Sequence, residues 1–492
     1  MALPGKNEVT LEKIVSLAKR RGYVFQSSEI YGGLNGCWDY GPMGVELLRN
    51  VKDEWWRAMT LRDNIEGVDA SILMHPRVWE ASGHVENFTD PMVDCKQCKA
   101  RYRVDVLLDE LSLKRKKELL RELDPAKFGG QQKDEFIQEA FSKLLDSDQQ
   151  AAKLVPMISC PACGNKGTFT EARKFNLMFK TFVGPVEDSS AAVFLRPETA
   201  QGIFVNFQNV LASSRQKLPF GIAQIGKAFR NEINTKNFLF RTREFEQMEM
   251  QFFVKPGSDD EWFEYWRGER MNWYVGLGMS RDQLRWHQHP KEKLAHYAKD
   301  AYDIEFLFPF GWGEIEGVHN RTNYDLSRHE EYSGKSMKYF DEESKEKYTP
   351  FVIETSSGAS RSFMAFLTGS YREEEAPTAD GKSETRVVLK LHPRLAPVKA
   401  AILPLVNRDG MQDIAHKIED DIRFQYRVFY DDSGAVGRRY RRQDEVGTPF
   451  CVTVDSQTLE DQTVTVRERD SMRQERIASA QISSYLGDKL RK

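Results

Sequence analysis

No run of apolar residues in this 492-residue chain is long enough to span a bilayer, so a helical membrane protein is excluded. The opening, MALPGKNEVT, lacks both an apolar secretory core and an arginine-rich transit pattern, and a cytoplasmic protein is expected. Net charge is nearly absent at −3, which argues neither for nor against nucleic acid, because a neutral total can hide a basic surface. Cysteine is scarce, at six residues. What remains is a hydrophobic content of 40% and a charged content of 29%, fitting a globular protein of two or three domains with ample core.

Four of the six cysteines form two C-x-x-C pairs, Cys95-Lys-Gln-Cys98 and Cys160-Pro-Ala-Cys163, while Cys37 and Cys451 stand alone. In a reducing compartment, paired C-x-x-C units read as a four-thiolate zinc site rather than as disulfides, with unligated thiols the alternative. Their separation is wider than in a compact ribbon, so a metal would clamp the base of an inserted subdomain at 95–163. Between the pairs, KRKKELLRELDPAKF and QKDEFIQEAFSKLLD are charged helical segments broken by Pro125 and Gly129-Gly130, and they read first as a solvated face.

The most informative stretch runs from Phe220 to Val254. Alternation predicts two long strands joined by a polar loop at about 233–240. Gln224, Gly226, Ala228, Arg230 and Glu232 share one face of the first, and Arg241, Arg243, Phe245, Gln247 and Glu249 share one face of the second. Ala223, Ile225 and Phe229, and then Met248, Met250 and Phe252, fall opposite and suit a core. A solvated face explains the charges but not the bare Phe245 among them. Guanidinium for phosphate, carboxylate for a base edge and an aromatic face for stacking together suit a polyanion with a flat ring. Here the residues resemble motif 2 of the class II aminoacyl-tRNA synthetases, as Phe229-Arg230-Asn231-Glu232, the loop, and Arg241-Thr-Arg-Glu-Phe245.

The flanking sequence adds to this. A helix is expected from Glu8 to Arg21, followed by a glycine-rich turn region. A second helix is expected from Val45 to about Leu61, with Leu48, Val51, Trp55 and Ala58 as its stripe. That stripe is plain core or, by resemblance, motif 1 of a dimer interface with its strand near Ala70–Met74. A short strand runs into a helix beginning at Pro197, where Glu198 compensates the helix dipole or belongs to a site. Tryptophan-rich helices at Asp259–Gly276 precede a strand at Phe306–Val318, on which Glu314 and Glu316 share a face.

At Phe351 to Leu367 a strand bearing Glu354 and Ser356 turns at Gly358 into a helix with Arg361 in its first turn. An arginine there is unfavourable unless something negative joins it, so the helix start reads as an anion site. It resembles motif 3. After Arg372 a polar linker leads to a separate α/β unit beginning at Val387 and Ala400. Within that unit, the basic cluster Arg438, Arg439, Arg441 and Arg442 around Tyr440 is surface charge or a phosphate and base contact, and the stretch resembles the anticodon-binding domain of class II synthetases.

Taken together, LRPETAQGIF, REFEQME, WGEIEGVHNRT and IETSSGASR resemble the dimeric glycyl-tRNA synthetases over nearly the whole chain. The resemblance implies an α/β protein whose α+β catalytic domain (1–94 and 164–375) holds an antiparallel sheet of six to seven strands flanked by helices. It also implies the zinc and helical insertion at 95–163 and an α/β anticodon-binding domain at 385–492. The expected reaction is ATP-dependent formation of glycyl adenylate and transfer of glycine to tRNA. Expected partners are tRNA, glycine, ATP and a second copy of the chain, with Mg²⁺ and a structural Zn²⁺.

The resemblance also implies residue roles. Arg230 and Arg361 are the catalytic pair, and Arg230 bridges the α-phosphate and the glycine carboxylate. Asn231, Glu232, Phe240, Arg241, Arg243, Phe245, Glu314, Ile315 and Gly358 complete the ATP site, with Glu232 on the adenine amino group, Phe245 on its ring and Glu314 on ribose or Mg²⁺. Glu198, Glu249 and Glu354 surround the glycine ammonium, Ser356 closes the pocket, Arg321 balances the carboxylates, and Arg103 and Phe245 lie at its edge. The helical insertion has a grip on the tRNA acceptor end as its alternative role. Alanine must be rejected sterically, and no editing domain is expected. Two rivals stay open: a synthetase of the same subgroup for serine, threonine, proline or histidine, and a non-catalytic nucleic-acid-binding relative.

Overall fold

The computed structural model describes residues 9–130, 132–145, 148–185, 187–291, 294–295, 297–377 and 383–491. The chain divides into two compact units, Met1–Ile72 with Glu198–Ala228 and Asn237–Lys492, and Leu73–Pro197 with Phe229–Lys236.

Alternation in the first unit builds one seven-stranded sheet. Its strands in chain order are β1 (Ile65–Gly67), β2 (Phe220–Phe229), β3 (Glu244–Val254), β4 (Leu284–Gln288), β5 (Asp300–Phe308), β6 (Gly311–Thr322) and β7 (Phe351–Gly358). They lie in the order β4-β5-β6-β7-β3-β2-β1. The pairs β4/β5, β5/β6, β6/β7 and β7/β3 are antiparallel, and the edge strand β1 runs parallel to β2.

The helices Pro42–Thr60, Asp259–Gly276 and Ala359–Ser370 cover one face, packing Trp55, Trp266 and Phe363 onto Met248, Met250, Phe252, Phe306 and Ile353. Each such side chain contributes about 1.5–3 kcal/mol by leaving water. The Leu48, Val51 and Trp55 stripe is therefore core of its own unit. The other face is polar in its middle, and at one end Phe207, Phe220 and Phe253 close it with ring centroids 4.6–6.0 Å apart. A five-stranded sheet forms the C-terminal part, with Ala400–Pro404 parallel to both Val428–Tyr430 and Phe450–Val454 and two further strands antiparallel beyond.

Several elements depart from expectation. The first helix spans Leu11–Arg20 with Thr10 as its cap, and Glu8 lies outside the described residues. The strand expected at 70–74 is β1 instead, because Ala70 N donates to the Gln224 side chain where a ladder would continue. The helix expected from Pro197 begins at Ala200, since Thr199 N is taken by Gln247 Oε1. β2 and β3 are shorter than expected, leaving Arg230, Asn231, Glu232, Arg241 and Arg243 in the connection. There Asn231 N donates to Leu177 O and Arg243 N to Gly36 O rather than to a strand.

The strand expected at 306–318 is a hairpin turning at Gly311, whose φ of +112° favours glycine. The segment read as a linker after Arg372 is a ribbon of Tyr371–Pro377 on Ser383–Leu389, tied by Arg386 to Glu374 and by Thr385 to Glu375, while 378–382 lie outside the described residues. Val387 belongs to that ribbon, so the C-terminal sheet starts at Ala400.

The second unit is wider than the expected 95–163 insertion. A three-stranded sheet of Arg101–Arg103, Thr89–Asp94 and Arg173–Asn176 supports helices that include Leu113–Leu123 and Asp134–Leu145. Val93, Leu108, Leu119, Phe141 and Leu154 form its own core.

Candidate functional site

The open face of the main sheet carries two polar rows set by strand register. In one, Gly317, Ser356 and Glu249 lie opposite one another across β6, β7 and β3; in the next, His319, Glu354 and Gln251 do. The second row is tightly bonded. Glu354 Oε1 pairs with His319 Nδ1 at 2.7 Å, and its Oε2 accepts from Gln251 Nε2 at 2.7 Å and from Arg321 at 2.9 Å. Arg321 also grips Asp325 with two bonds of 2.8 and 2.9 Å, and its guanidinium lies 3.9 Å over the Tyr297 ring. Helix Tyr324–Ser333 places Asp325 there, four residues past Arg321.

Glu249 accepts from Gln251 Nε2 at 3.2 Å and from the Thr199 hydroxyl, and Glu198 accepts from Gln201 at 3.0 Å. Glu249 and Glu354 are 2% and 3% exposed, so their mutual repulsion is poorly screened. Burial, then the charges of Glu354 and Glu198, push the Glu249 carboxyl well above the usual carboxylate range. Burial would raise Glu354 too, but Arg321 and His319 outweigh it and hold Glu354 below its usual value. Burial disfavours a charged His319, yet the Glu354 bond outweighs it and raises the imidazole. The face thus presents one paired carboxylate and one pushed toward its neutral form.

Beyond Ser356, the β7-to-helix turn at Gly358 carries Arg361 in the first helical turn. Arg361 donates to Glu314 Oε2 at 2.8 Å and to the Phe240 carbonyl at 3.0 Å, and lies 4.4 Å over the Phe240 ring. Phe240 packs edge-on against Phe308 and Phe310, above Gly313, whose missing side chain leaves the ring its room. The expected shared face of Glu314 and Glu316 does not form. A register shift leaves Ile315 as an extra residue between them, so Glu314 turns to Arg361 while Glu316 is buried against Arg270 at 2.5 Å. Ile315 itself is core, and its carbonyl accepts from Ser357.

Phe245 and Gln247 follow Glu249 along the same strand face, and Gln247 Nε2 reaches Ser356 Oγ at 3.3 Å. Arg243 donates to the Asn35 carbonyl in the glycine-rich turn, and Arg241 caps the short helix Phe238–Phe240.

Within the second unit, Arg230 donates to Pro197 O at 3.0 Å and lies 5.4 Å over Phe88. Arg103 is tied to Asp90 and Asp105 at 2.9 and 2.7 Å and feels the charge of Glu232. In the same unit the two C-x-x-C turns are alike. Cys95 N donates to Ala100 O and Lys99 N to Cys95 O, just as Cys160 N donates to Asn165 O and Gly164 N to Cys160 O. Both end left-handed, at Lys99 (φ 62°) and Gly164 (φ 74°). The four Sγ atoms lie within 4.8 Å of one another, with Cys95–Cys163 at 3.7 Å and Cys98–Cys160 at 3.6 Å. Thiolates about 2.3 Å from a tetrahedral metal stand about 3.8 Å apart, so this set can hold one.

The C-terminal arginines differ among themselves. Arg439 is 3% exposed and donates to the carbonyls of Gly434, Pro404 and Asp431, which corrects its reading as a phosphate contact. Arg442 pairs with Asp431 at 2.7 Å and Arg441 with Glu384 at 2.8 Å. Arg438 is exposed.

Sequence reasoning gave no role to Thr199, Gln251, His319 or Asp325. Alternation from Glu249 and Arg321 would have placed Gln251 and His319 on the same face. Thr199 joins through a turn that has no periodic signal.

The chain matches the tRNA synthetase class II core domain (G, H, P, S and T) over residues 182–371, glycyl-tRNA synthetase insertion domain 1 over 90–177 and an anticodon binding domain over 399–489. It is 55% identical to a glycine–tRNA ligase of Treponema denticola, covering 98% of this chain and 97% of that protein. It is 52% identical to one of Thermobifida fusca over 98% of each, and 53% identical to one of Borreliella burgdorferi over 97% of each.

Replacing Arg321 by Met keeps bulk but leaves Glu354 and Asp325 without their cation, and a loss of about 3–5 kcal/mol in urea unfolding at neutral pH is expected. The sign with pH follows from the depressed Glu354 carboxyl. Its contribution is present above its ordinary value of 4.5 and is lost as pH falls. The gap between parent and variant therefore narrows in acid; a gap independent of pH contradicts the pairing.

Proposed function

Because the chain belongs to the glycine–tRNA ligases, we propose that the carboxylates of the open sheet face hold the ammonium group of glycine for adenylation. An enzyme of this family uses ATP to activate glycine and passes it to tRNA. Both steps are displacements governed by positioning and charge stabilisation. The observation that carries the reading is the gathering of Glu198, Glu249 and Glu354 on the open sheet face, where Glu198 and Glu354 act on the Glu249 carboxyl, with Ser356 and Gly317 small beside it.

In this reading Glu354 supplies fixed negative charge, Glu249 accepts the ammonium as it yields its own proton, and Glu198 faces the open side. Arg361 exchanges its bond to Glu314 for a phosphate, and Phe240 and Phe245 offer ring faces to adenine. Arg230 neutralises the α-phosphate, Glu232 takes the adenine amino group, and Asn231, Arg241 and Arg243 line the triphosphate. Arg103 keeps its proposed place at the substrate edge. Glu314, freed of Arg361, offers an oxygen to ribose or to Mg²⁺ arriving with ATP. Arg438 is the best placed of its cluster for tRNA, being exposed.

Zinc is the metal we assign to Cys95, Cys98, Cys160 and Cys163, in a structural role. A cytoplasmic homodimer is part of the reading. Ile30 and Tyr31, 88% and 87% exposed near the glycine-rich turn, form apolar surface of the kind a second copy covers. No helix among the described residues is long and apolar enough to cross a membrane.

Amino-acid-dependent pyrophosphate exchange tests the function. Glycine alone should support it, and exchange with serine, threonine, proline or histidine, or with alanine near glycine's rate, overturns it. Metal analysis of purified protein should find about one zinc per chain; protein without zinc removes that assignment.

A further inference from the structure

We propose that His319 is the residue that excludes alanine, its ring filling the side of the glycine hollow that Gly317 leaves open. The inference rests on the reading of this face as the glycine site. Gly317, Ser356 and Glu249 form one row across three strands, in which the first member has no side chain and the second only a hydroxymethyl group. His319 belongs to the next row, yet its ring leans back over the first. A Cβ built on Gly317 would stand 2.8 Å from His319 Nε2 and 2.9 Å from Cε1, closer than such atoms ever pack. The ring thus occupies the space a side chain at Gly317 would take, directly across from Ser356.

A wall that rejects one methyl group must not yield. His319 is held at Nδ1 by Glu354 at 2.7 Å, and Glu354 is itself fixed by Arg321 and Gln251. Asp303 lies on the far side, with an oxygen 3.6 Å from the same Gly317 position, and the His289 ring meets His319 edge-on at 6.2 Å. The His319 side chain remains 20% exposed, so it borders open space rather than lying within the core. Glycine gives an enzyme no side chain to hold, so specificity requires a rigid obstruction, and overpacking a fixed site by one methyl is costly. His319 supplies that obstruction while the same ring fixes the carboxylate behind the ammonium.

The test is pyrophosphate exchange with glycine and with alanine on the full chain carrying His319→Ala and His319→Asn. The expected result is a rise of about tenfold or more in the alanine-to-glycine ratio of kcat/KM for both variants. His319→Asn keeps an amide to donate to Glu354, so it decides the matter if His319→Ala does not fold. ATP affinity measured beside it shows that the site is intact. A ratio that stays unchanged, with both substrates falling in parallel, overturns the proposal and makes His319 merely structural. Failure of the unaltered protein to activate glycine instead overturns the functional reading beneath it.

Discussion

Carboxylates gathered in one buried hollow cannot all carry charge. Two unit charges about 4 Å apart repel by about 4 kcal/mol at the effective dielectric of a protein surface, and by more inside. The sheet resolves this by unequal treatment. Glu354 receives Arg321, His319 and Gln251, which favour its ionised form, while Glu249 receives Gln251 and the hydroxyl of Thr199, and burial with its charged neighbours favours its neutral form. Much else serves this division. The β6/β7/β3 register aligns the rows, helix Tyr324–Ser333 brings Asp325 to anchor Arg321, and the hydroxyls of Tyr274, Ser357 and Ser362 lock β7 to the helix that carries Arg361.

The same inequality appears at the nucleotide end. One extra residue in β6 separates two glutamates that a regular strand would align, sending Glu314 to Arg361 and Glu316 to Arg270. Arg361 is thereby held by a half-exposed carboxylate, while Arg270 and Glu316 are almost fully buried against each other. A bulge is a small feature with a large chemical consequence here, since it divides a buried structural carboxylate from a half-exposed one paired with Arg361.

How much of this was legible depended on whether the backbone followed its own periodicity. Strand alternation put Glu249 with Gln247 on one strand face and Glu354 with Ser356 on another, and the resemblance to glycyl-tRNA synthetases joined the two sets. Spacing revealed the two cysteine turns, whose geometry repeats hydrogen bond for hydrogen bond. What escaped lay where side chains intercept backbone donors. Gln224 ends the ladder at Ala70, Gln247 delays the helix to Ala200, and Phe310–Gly311 folds a presumed single strand into a hairpin. Arg439 shows another limit: a guanidinium satisfied by three carbonyls reads in sequence like its exposed neighbour Arg438.

Burial and its charged neighbours push Glu249 toward its neutral form until a cation arrives. Calorimetry of glycine binding near neutral pH, in two buffers of different ionisation enthalpy, measures that proton directly. An ammonium group beside Glu249 favours the ionised form and lowers its pKa, so binding should release protons and tighten as pH rises. Binding without proton exchange, or with uptake, would contradict the division of charge on which the site depends.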